Sequence, residues 1–188
     1  TPFFNGNNEN FRDHVLIGKE RHDVGRPNDY GYPIRGIVKD KWMYLRNYRP
    51  DLWPAGNPET GYTTVDGSPT KTEILKSRHD PETKFYWDLS FGKRPAEELF
   101  YLPDDKYCMK NLASEEKFNS IKEKLNFKME EELKKQADPR MFGDGDIFHS
   151  YYYTWDPYRN LYSRMVYEGE KIVPRWINAS DIETDLME

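Results

Sequence analysis

The chain has 188 residues, a length that suits one compact domain with extensions. Its formal net charge of −5 argues against a general attraction to nucleic acid or to an anionic membrane, although a local cluster of cations can still bind an anion. The single cysteine, Cys108, excludes an internal disulfide and a multi-cysteine metal site. No apolar run approaches the roughly 20 residues that span a bilayer, so no membrane partner is expected. Aromatic residues make up 15% of the chain and predict a folded, loop-rich domain.

The first half of the chain predicts strands. His14–Gly18 is a short apolar run bounded by polar residues, the pattern of a buried strand. Residues Tyr32–Lys39 and Trp42–Tyr48 predict two strands, with Asp40 and Lys41 as the tight turn of a hairpin.

The middle of the chain alternates loop and short elements. Arg49–Pro69 contains four prolines and predicts a long loop, which Trp53 and Tyr62 should keep ordered and packed. Thr70–Arg78 predicts a short helix, Phe85–Leu89 is ambiguous between helix and loop, and Glu98–Leu102 predicts another strand.

The strongest helix signal covers Ser114–Ala137, where apolar residues recur at helical spacing and Ser114 is a suitable N-cap. Residues 142–188 are rich in tyrosine and irregular, with one short strand predicted at Ser163–Tyr167.

Together these elements predict an α+β fold: a small antiparallel sheet, a long C-terminal amphipathic helix packed on one face, and long loops. We expect residues 1–13 to be loop. Residues 14–153 should form the main subdomain, and residues 154–188 an irregular C-terminal extension.

Catalytic and metal-binding patterns are not found in the sequence. The four histidines are scattered without ligand spacing, and no serine nucleophile elbow or glycine-rich phosphate loop occurs. Asp144-Gly145-Asp146 lacks the later glutamate of a calcium loop and predicts a turn. No catalytic residue and no metal ligand are therefore assigned.

Two clusters remain as candidate binding sites. The first, Lys19 to Asp23, follows the end of a strand, and its Arg21, His22 and Asp23 suit sulfate, carboxylate and sugar hydroxyl groups. The second is the loop of Trp53, whose ring could stack on a sugar face. An ordinary solvated turn is the alternative for the first cluster, and a packing role is the alternative for Trp53.

Several motifs in order resemble the C-terminal part of the sulfatase family. Glu98-Leu99-Phe100-Tyr101-Leu102, followed by Asn111-Leu112-Ala113, resembles the strand-to-helix passage of that family, with Tyr101 where Asp is usual. Tyr32-Pro33-Ile34-Arg35 resembles its Tyr-Pro-x-Arg strand. The segments Gly18–Asp23, Ser68-Pro69-Thr70 and Asp138-Pro139-Arg140 resemble the heparan N-sulfatase (N-sulfoglucosamine sulfohydrolase-like) group.

The resemblance implies a larger hydrolase that removes sulfate, as an O-sulfate ester or an N-sulfamate, from a sulfated sugar such as heparan-type glucosamine. The partner of this chain would be its own N-terminal catalytic domain, which would hold calcium and a formylglycine, and residues 1–13 would be a remnant of the linker to that missing domain. Cys108 is followed by Met109-Lys110-Asn111 rather than the family's x-Pro-x-Arg, so the formylglycine is not expected here. The resemblance also implies a periplasmic, secreted or lysosomal location.

The resemblance assigns this chain a share of the substrate pocket. His22 matches the pocket histidine of the subgroup, and Asp23, Arg21 and Trp53 follow as candidate substrate contacts. One alternative is a non-catalytic carbohydrate-binding or interaction module that uses Trp53 and Tyr151–Tyr153. Another is a purely structural domain. Since the face toward the missing domain would be exposed, we expect the isolated chain to self-associate.

Overall fold

The structure is a computed structural model that describes residues 12–185, so most of the predicted N-terminal loop lies outside the described residues. The chain divides into two compact units, each assembled from three stretches. The first unit contains the described residues up to Gly18 together with Arg35–Arg46 and Glu97–Ala137. The second contains Lys19–Ile34, Asn47–Ala96 and the described residues from Asp138 onward.

The first unit contains a small antiparallel sheet. Within residues 12–185 it has four strands in the order β1-β2-β3-β4. The strands are β1 (His14–Lys19), β2 (Ile34–Lys39), β3 (Trp42–Asn47) and β4 (Glu97–Tyr101). The predicted mixture of helices with a small antiparallel sheet is thereby confirmed.

The predicted hairpin is β2 and β3. Asp40 and Lys41 both have positive φ, 49° and 69°, as the two central residues of a tight hairpin turn require. β3 pairs with β4 in a register that sets Tyr44 opposite Leu99, and both side chains are fully buried. The core of the first unit therefore lies against this strand pair.

β1 is present, but the prediction that it is buried is wrong. Val15 is 63% exposed and Ile17 38% exposed. In the part of the chain that the structure describes, β1 has a single neighbour, β2, and lies at the edge of the sheet. An edge strand can leave one face uncovered, which a short apolar run in the sequence does not reveal.

The long helix is α3 (Asn119–Lys135), and its buried residues are Leu125, Met129 and Leu133. It contacts the sheet through Asn126, whose side-chain oxygen accepts from the Tyr44 hydroxyl at 3.2 Å. The predicted start with Ser114 as the N-cap is wrong, because residues Glu116–Phe118 form a separate 3-10 turn and α3 begins only at Asn119. Since α3 ends at Lys135, its predicted C-terminal position is not confirmed.

The second unit packs two short helices against the long loop. α1 (Pro69–Ser77) confirms the predicted helix, with Ser68 Oγ accepting from Lys71 N–H at 3.1 Å as its N-cap. The ambiguous segment is helical, α2 (Lys84–Ser90). One core cluster joins loop and helices; its members are Ala55, Tyr62, Leu75, Trp87 and Phe91.

The strand predicted at Ser163–Tyr167 is wrong, because the structure has a helix there, α4 (Leu161–Val166). Asn160, in the left-handed conformation, donates its N–H to the carboxylate of Asp29 at 2.7 Å, and Leu161 is fully buried. Arg164 pairs with Glu170 at 2.7 Å. These tertiary contacts select the helix over the weak strand preference of the segment.

Candidate functional site

The candidate cluster Arg21–Asp23 lies in the second unit, on a loop held by buried threonines. Thr60 Oγ1 donates to the Gly25 carbonyl at 2.8 Å, and Thr63 Oγ1 donates to the Val24 carbonyl. Gly25 has φ +107°, and a Cβ there would clash with Thr63 Oγ1. Only glycine at position 25 lets the chain after Asp23 pack this closely against the two threonines.

Arg21 joins the cluster to a distant part of the chain. Its guanidinium donates to the Tyr151 carbonyl at 2.6 Å and to the Asp29 carbonyl at 3.2 Å. Two of the five N–H groups of the side chain thus fix backbone geometry. The contact brings the sequence-predicted cluster together with the tyrosine run Tyr151–Tyr153.

Asp23 makes a second link to the tyrosine run. Its carboxylate accepts the N–H of Val24 at 2.8 Å and the hydroxyl of Tyr153. Burial raises the pKa of Asp23, and the two hydrogen bonds act in the opposite direction. Burial also raises the pKa of Tyr153, and the neighbouring carboxylate raises it further, so the phenol stays a donor.

Exposed polar and aromatic side chains neighbour Asp23 and Tyr153 in the chain. His22 is exposed, between Arg21 and Asp23 in the chain. Tyr151 is 56% and Tyr152 82% exposed, and the Arg159 guanidinium lies 5.4 Å from the Tyr152 ring centre. The result is a surface of imidazole, carboxylate and phenol groups with ring faces open to solvent.

Trp53 occupies a different environment in the same unit. It is half-buried, its ring lies 5.9 Å from the Trp87 ring, and Lys93 lies over it at 5.2 Å. It packs against the core cluster of the second unit. These contacts give Trp53 a packing role, and its predicted stacking on a sugar stays a prediction.

Arg26 is the important residue that sequence reasoning passed over. Its buried guanidinium donates to the carbonyls of Trp53 at 2.6 Å and Pro54 at 2.7 Å, and lies over Tyr32. It therefore connects the first candidate cluster to the Trp53 loop. Burial lowers the pKa of Arg26 to about 10, so it is cationic at neutral pH. Only its place just after the cluster hinted at this, because burial of an arginine cannot be read from sequence.

Lys19 adds a second cation near Arg26. Its ammonium lies 5.8 Å from the centre of the Tyr32 ring. Burial lowers the pKa of Lys19, and the proximity of Arg26 lowers it further. Residues Lys19 to Arg26, which follow from the last residue of β1, therefore form a locally cationic stretch. The chain as a whole has a net negative charge.

Two further features of the described residues concern Cys108 and the possible metal ligands. Burial raises the pKa of the Cys108 thiol, and Asp105 and Glu98 raise it further, so the thiol is protonated at neutral pH. Across residues 12–185, no three or more His, Cys, Asp or Glu side chains are grouped to hold a metal ion. Nor does any helix in that range have the length and apolar character to cross a membrane.

Comparison of the chain with protein-family models and with curated proteins finds no match. The geometry of the second unit is therefore the basis for a functional proposal.

Proposed function

We propose that this chain forms the saccharide-contacting rim of a substrate pocket in a sulfatase-type hydrolase. The observation that carries the proposal is the joining of Arg21–Asp23 to Tyr151–Tyr153, two segments 130 residues apart. Both segments have side chains suited to sugars, and they meet in one surface. The sulfatase assignment itself depends on the sequence motifs that resemble that family.

Each group has a distinct task in this proposal. His22 contacts a sugar hydroxyl or the leaving group, because an exposed imidazole can donate and accept. Asp23, held by Tyr153, accepts from a hydroxyl. Arg21 keeps the two segments together, and its further N–H groups suit a uronic carboxylate or a second sulfate.

The calcium and formylglycine of a sulfatase do not fit the residues described here. Across residues 12–185 no suitable group of metal ligands occurs, and the segment after Cys108 lacks the proline and arginine of the family pattern. In this proposal both belong to an N-terminal catalytic domain, which would hydrolyse the sulfate ester or sulfamate. A periplasmic, secreted or lysosomal location is part of the same proposal.

A carbohydrate-binding module without turnover is the second candidate. The observation in its favour is the exposure of the Tyr151 and Tyr152 rings, which are open to stacking on a sugar face. The two candidate functions can be distinguished by inorganic sulfate, which only the hydrolase would release.

The first test is His22→Ala in the full-length gene product. We expect kcat/KM for an N-sulfated glucosamine substrate to fall about tenfold, the loss of about 1.4 kcal/mol of transition-state binding. Sulfate release measures the reaction, and binding of a heparin-derived disaccharide to the protein measures affinity separately.

His79→Ala is the matched control, because His79 is also exposed and lies at the end of α1. It should leave both readouts unchanged. Equal kcat/KM for the His22 variant and the wild type would overturn the pocket assignment. Saccharide binding that depends on His22, without any sulfate release, would establish the second candidate instead.

A further inference from the structure

A cavity of about 610 Å³ lies in the first unit, among the start of β3, the end of β4 and the segment that leads from β4 to α3. Its size is within the range of small-molecule sites, about 300–1,000 Å³. None of the residues Arg21–Asp23 or Tyr151–Tyr153 lines it. It is thus distinct from the proposed saccharide rim.

Three aromatic rings form the apolar wall of this cavity. Trp42 and Tyr101 are directly opposite in the β3–β4 register, and their ring centres are 4.8 Å apart. Phe118 lies 5.4 Å from Trp42 in an edge-to-face arrangement. All three side chains are only half-buried, so part of the aromatic surface faces the cavity.

The remaining lining of the cavity carries ion pairs. Glu115 binds the ammonium groups of Lys110 at 3.3 Å and Lys117 at 3.0 Å. Asp105 accepts the backbone N–H groups of Met109 and Lys110, at 2.9 and 2.8 Å, and so shapes the loop. Asp104, also exposed, completes the polar lining.

We infer that this cavity binds a neutral saccharide, with pyranose rings against the aromatic wall formed by Trp42, Tyr101 and Phe118. The C–H face of a pyranose is apolar and packs on aromatic rings, while its hydroxyl groups need donors and acceptors at the edge. Carboxylates accept from hydroxyls, and each ammonium group has three N–H donors, so one bond to Glu115 does not exhaust it. The lining of the cavity includes both kinds of surface.

The charge of the lining argues for a neutral ligand. Three carboxylates and two ammonium groups line the cavity, and the ammonium groups are already bound to Glu115. A sulfated or uronic saccharide would meet a slight excess of negative charge and so would be disfavoured.

The ring geometry argues against a quaternary ammonium ligand. Such a cation is held between ring faces that surround it, within about 6 Å of each ring centre. Here the Trp42 and Tyr101 rings touch one another at 4.8 Å, and Lys117 already lies 4.8 Å from the Phe118 ring centre. The rings therefore form a continuous wall and leave no space for a cation among them.

The test is titration of the chain with cellobiose, maltose and N,N′-diacetylchitobiose, followed by NMR of the Trp42 indole N–H. We expect saturable shifts of that signal with at least one of the three. Tyr101→Leu should weaken the affinity about tenfold, since it removes one ring of the wall. Asp104→Ala should weaken it about threefold by loss of one hydroxyl acceptor.

Tyr107→Leu is the matched control, because Tyr107 is an exposed tyrosine of the same loop that does not line the cavity. It should bind as the wild type does, and the same spectra report whether each variant is folded. No saturable shift at Trp42 with any of the three sugars would overturn the inference. Tighter binding of choline or of a heparin-derived disaccharide at this cavity, read from the same Trp42 indole signal, would overturn it as well. Neither result bears on His22, because the two sites share no residue.

Discussion

Lys71 and Asp181 form an ion pair whose two side chains are fully buried in the second unit, with 3.2 Å between Nζ and Oδ2. Lys71 also donates to the carbonyls of Gly61 at 2.8 Å and Val65 at 2.7 Å. Burial lowers the pKa of Lys71, and the charge of Asp181 acts in the opposite direction. The pair ties residues near the described end of the chain to α1.

At this scale we expect Asp181→Ala to lower the free energy of unfolding by about 3–5 kcal/mol, because it leaves the ammonium buried without its counter-charge. Adding Lys71→Met should recover part of that loss. Glu73→Ala is the control, since it breaks the exposed Lys76–Glu73 pair of the same helix and should cost less than about 1 kcal/mol. Urea denaturation followed by circular dichroism measures all three. Similar losses for Asp181→Ala and Glu73→Ala would contradict the buried role.

In the β2–β3 hairpin, one turn residue adopts a backbone conformation that favours glycine. Lys41 has φ 69°, a conformation that costs an L-residue about 1–2 kcal/mol relative to glycine. Lys41→Gly should therefore stabilise the fold by about 0.5–1 kcal/mol, once the greater entropy of glycine in the unfolded chain is subtracted. Lys124→Gly, at an exposed position of α3, should destabilise it by about 1 kcal/mol. Thermal unfolding distinguishes the two signs, and a lower Tm for Lys41→Gly would disprove the prediction.

At the scale of the whole molecule, the exposed apolar residues of β1 predict association. Val15 and Ile17 are two residues apart and so lie on the same face of the strand. An exposed apolar strand at a sheet edge is a template for pairing with another chain. Light scattering of the isolated chain should give a mass above 22.5 kDa at about 100 μM.

Val15→Lys with Ile17→Lys should restore the monomer mass, whereas Val173→Lys, an exposed valine of the second unit, should not. A wild-type chain that scatters as a clean monomer would count against the prediction.

Most of the regular structure could be predicted, because local signals determine it. The Asp40-Lys41 turn and the apolar spacing of Leu125, Met129 and Leu133 each act within a few residues. The misassigned strand at Ser163–Tyr167 shows the limit. Its helix depends on Asn160 bonding to Asp29, a partner 131 residues away.

The candidate site could be predicted only in part for the same reason. Arg21, His22 and Asp23 were recognisable as a polar group after a strand, and Tyr151–Tyr153 as an aromatic run. Their contact was not, because it depends on a single hydrogen bond from Arg21 and another from Tyr153. Arg26 is buried and donates to the Trp53 loop, but no sequence signal distinguishes it from an exposed arginine.

The sequence by itself determined the mixed α/β class, the hairpin, both helices α1 and α3, and the candidate residues at Arg21–Asp23. Short-range periodicity and turn chemistry carry that information. The tertiary structure alone decided that β1 is exposed, that Lys71 and Arg26 are buried cations, and that Trp42, Tyr101 and Phe118 line one cavity. Burial and charge pairing depend on contacts between residues that are far apart in the chain. A local sequence pattern therefore does not determine them.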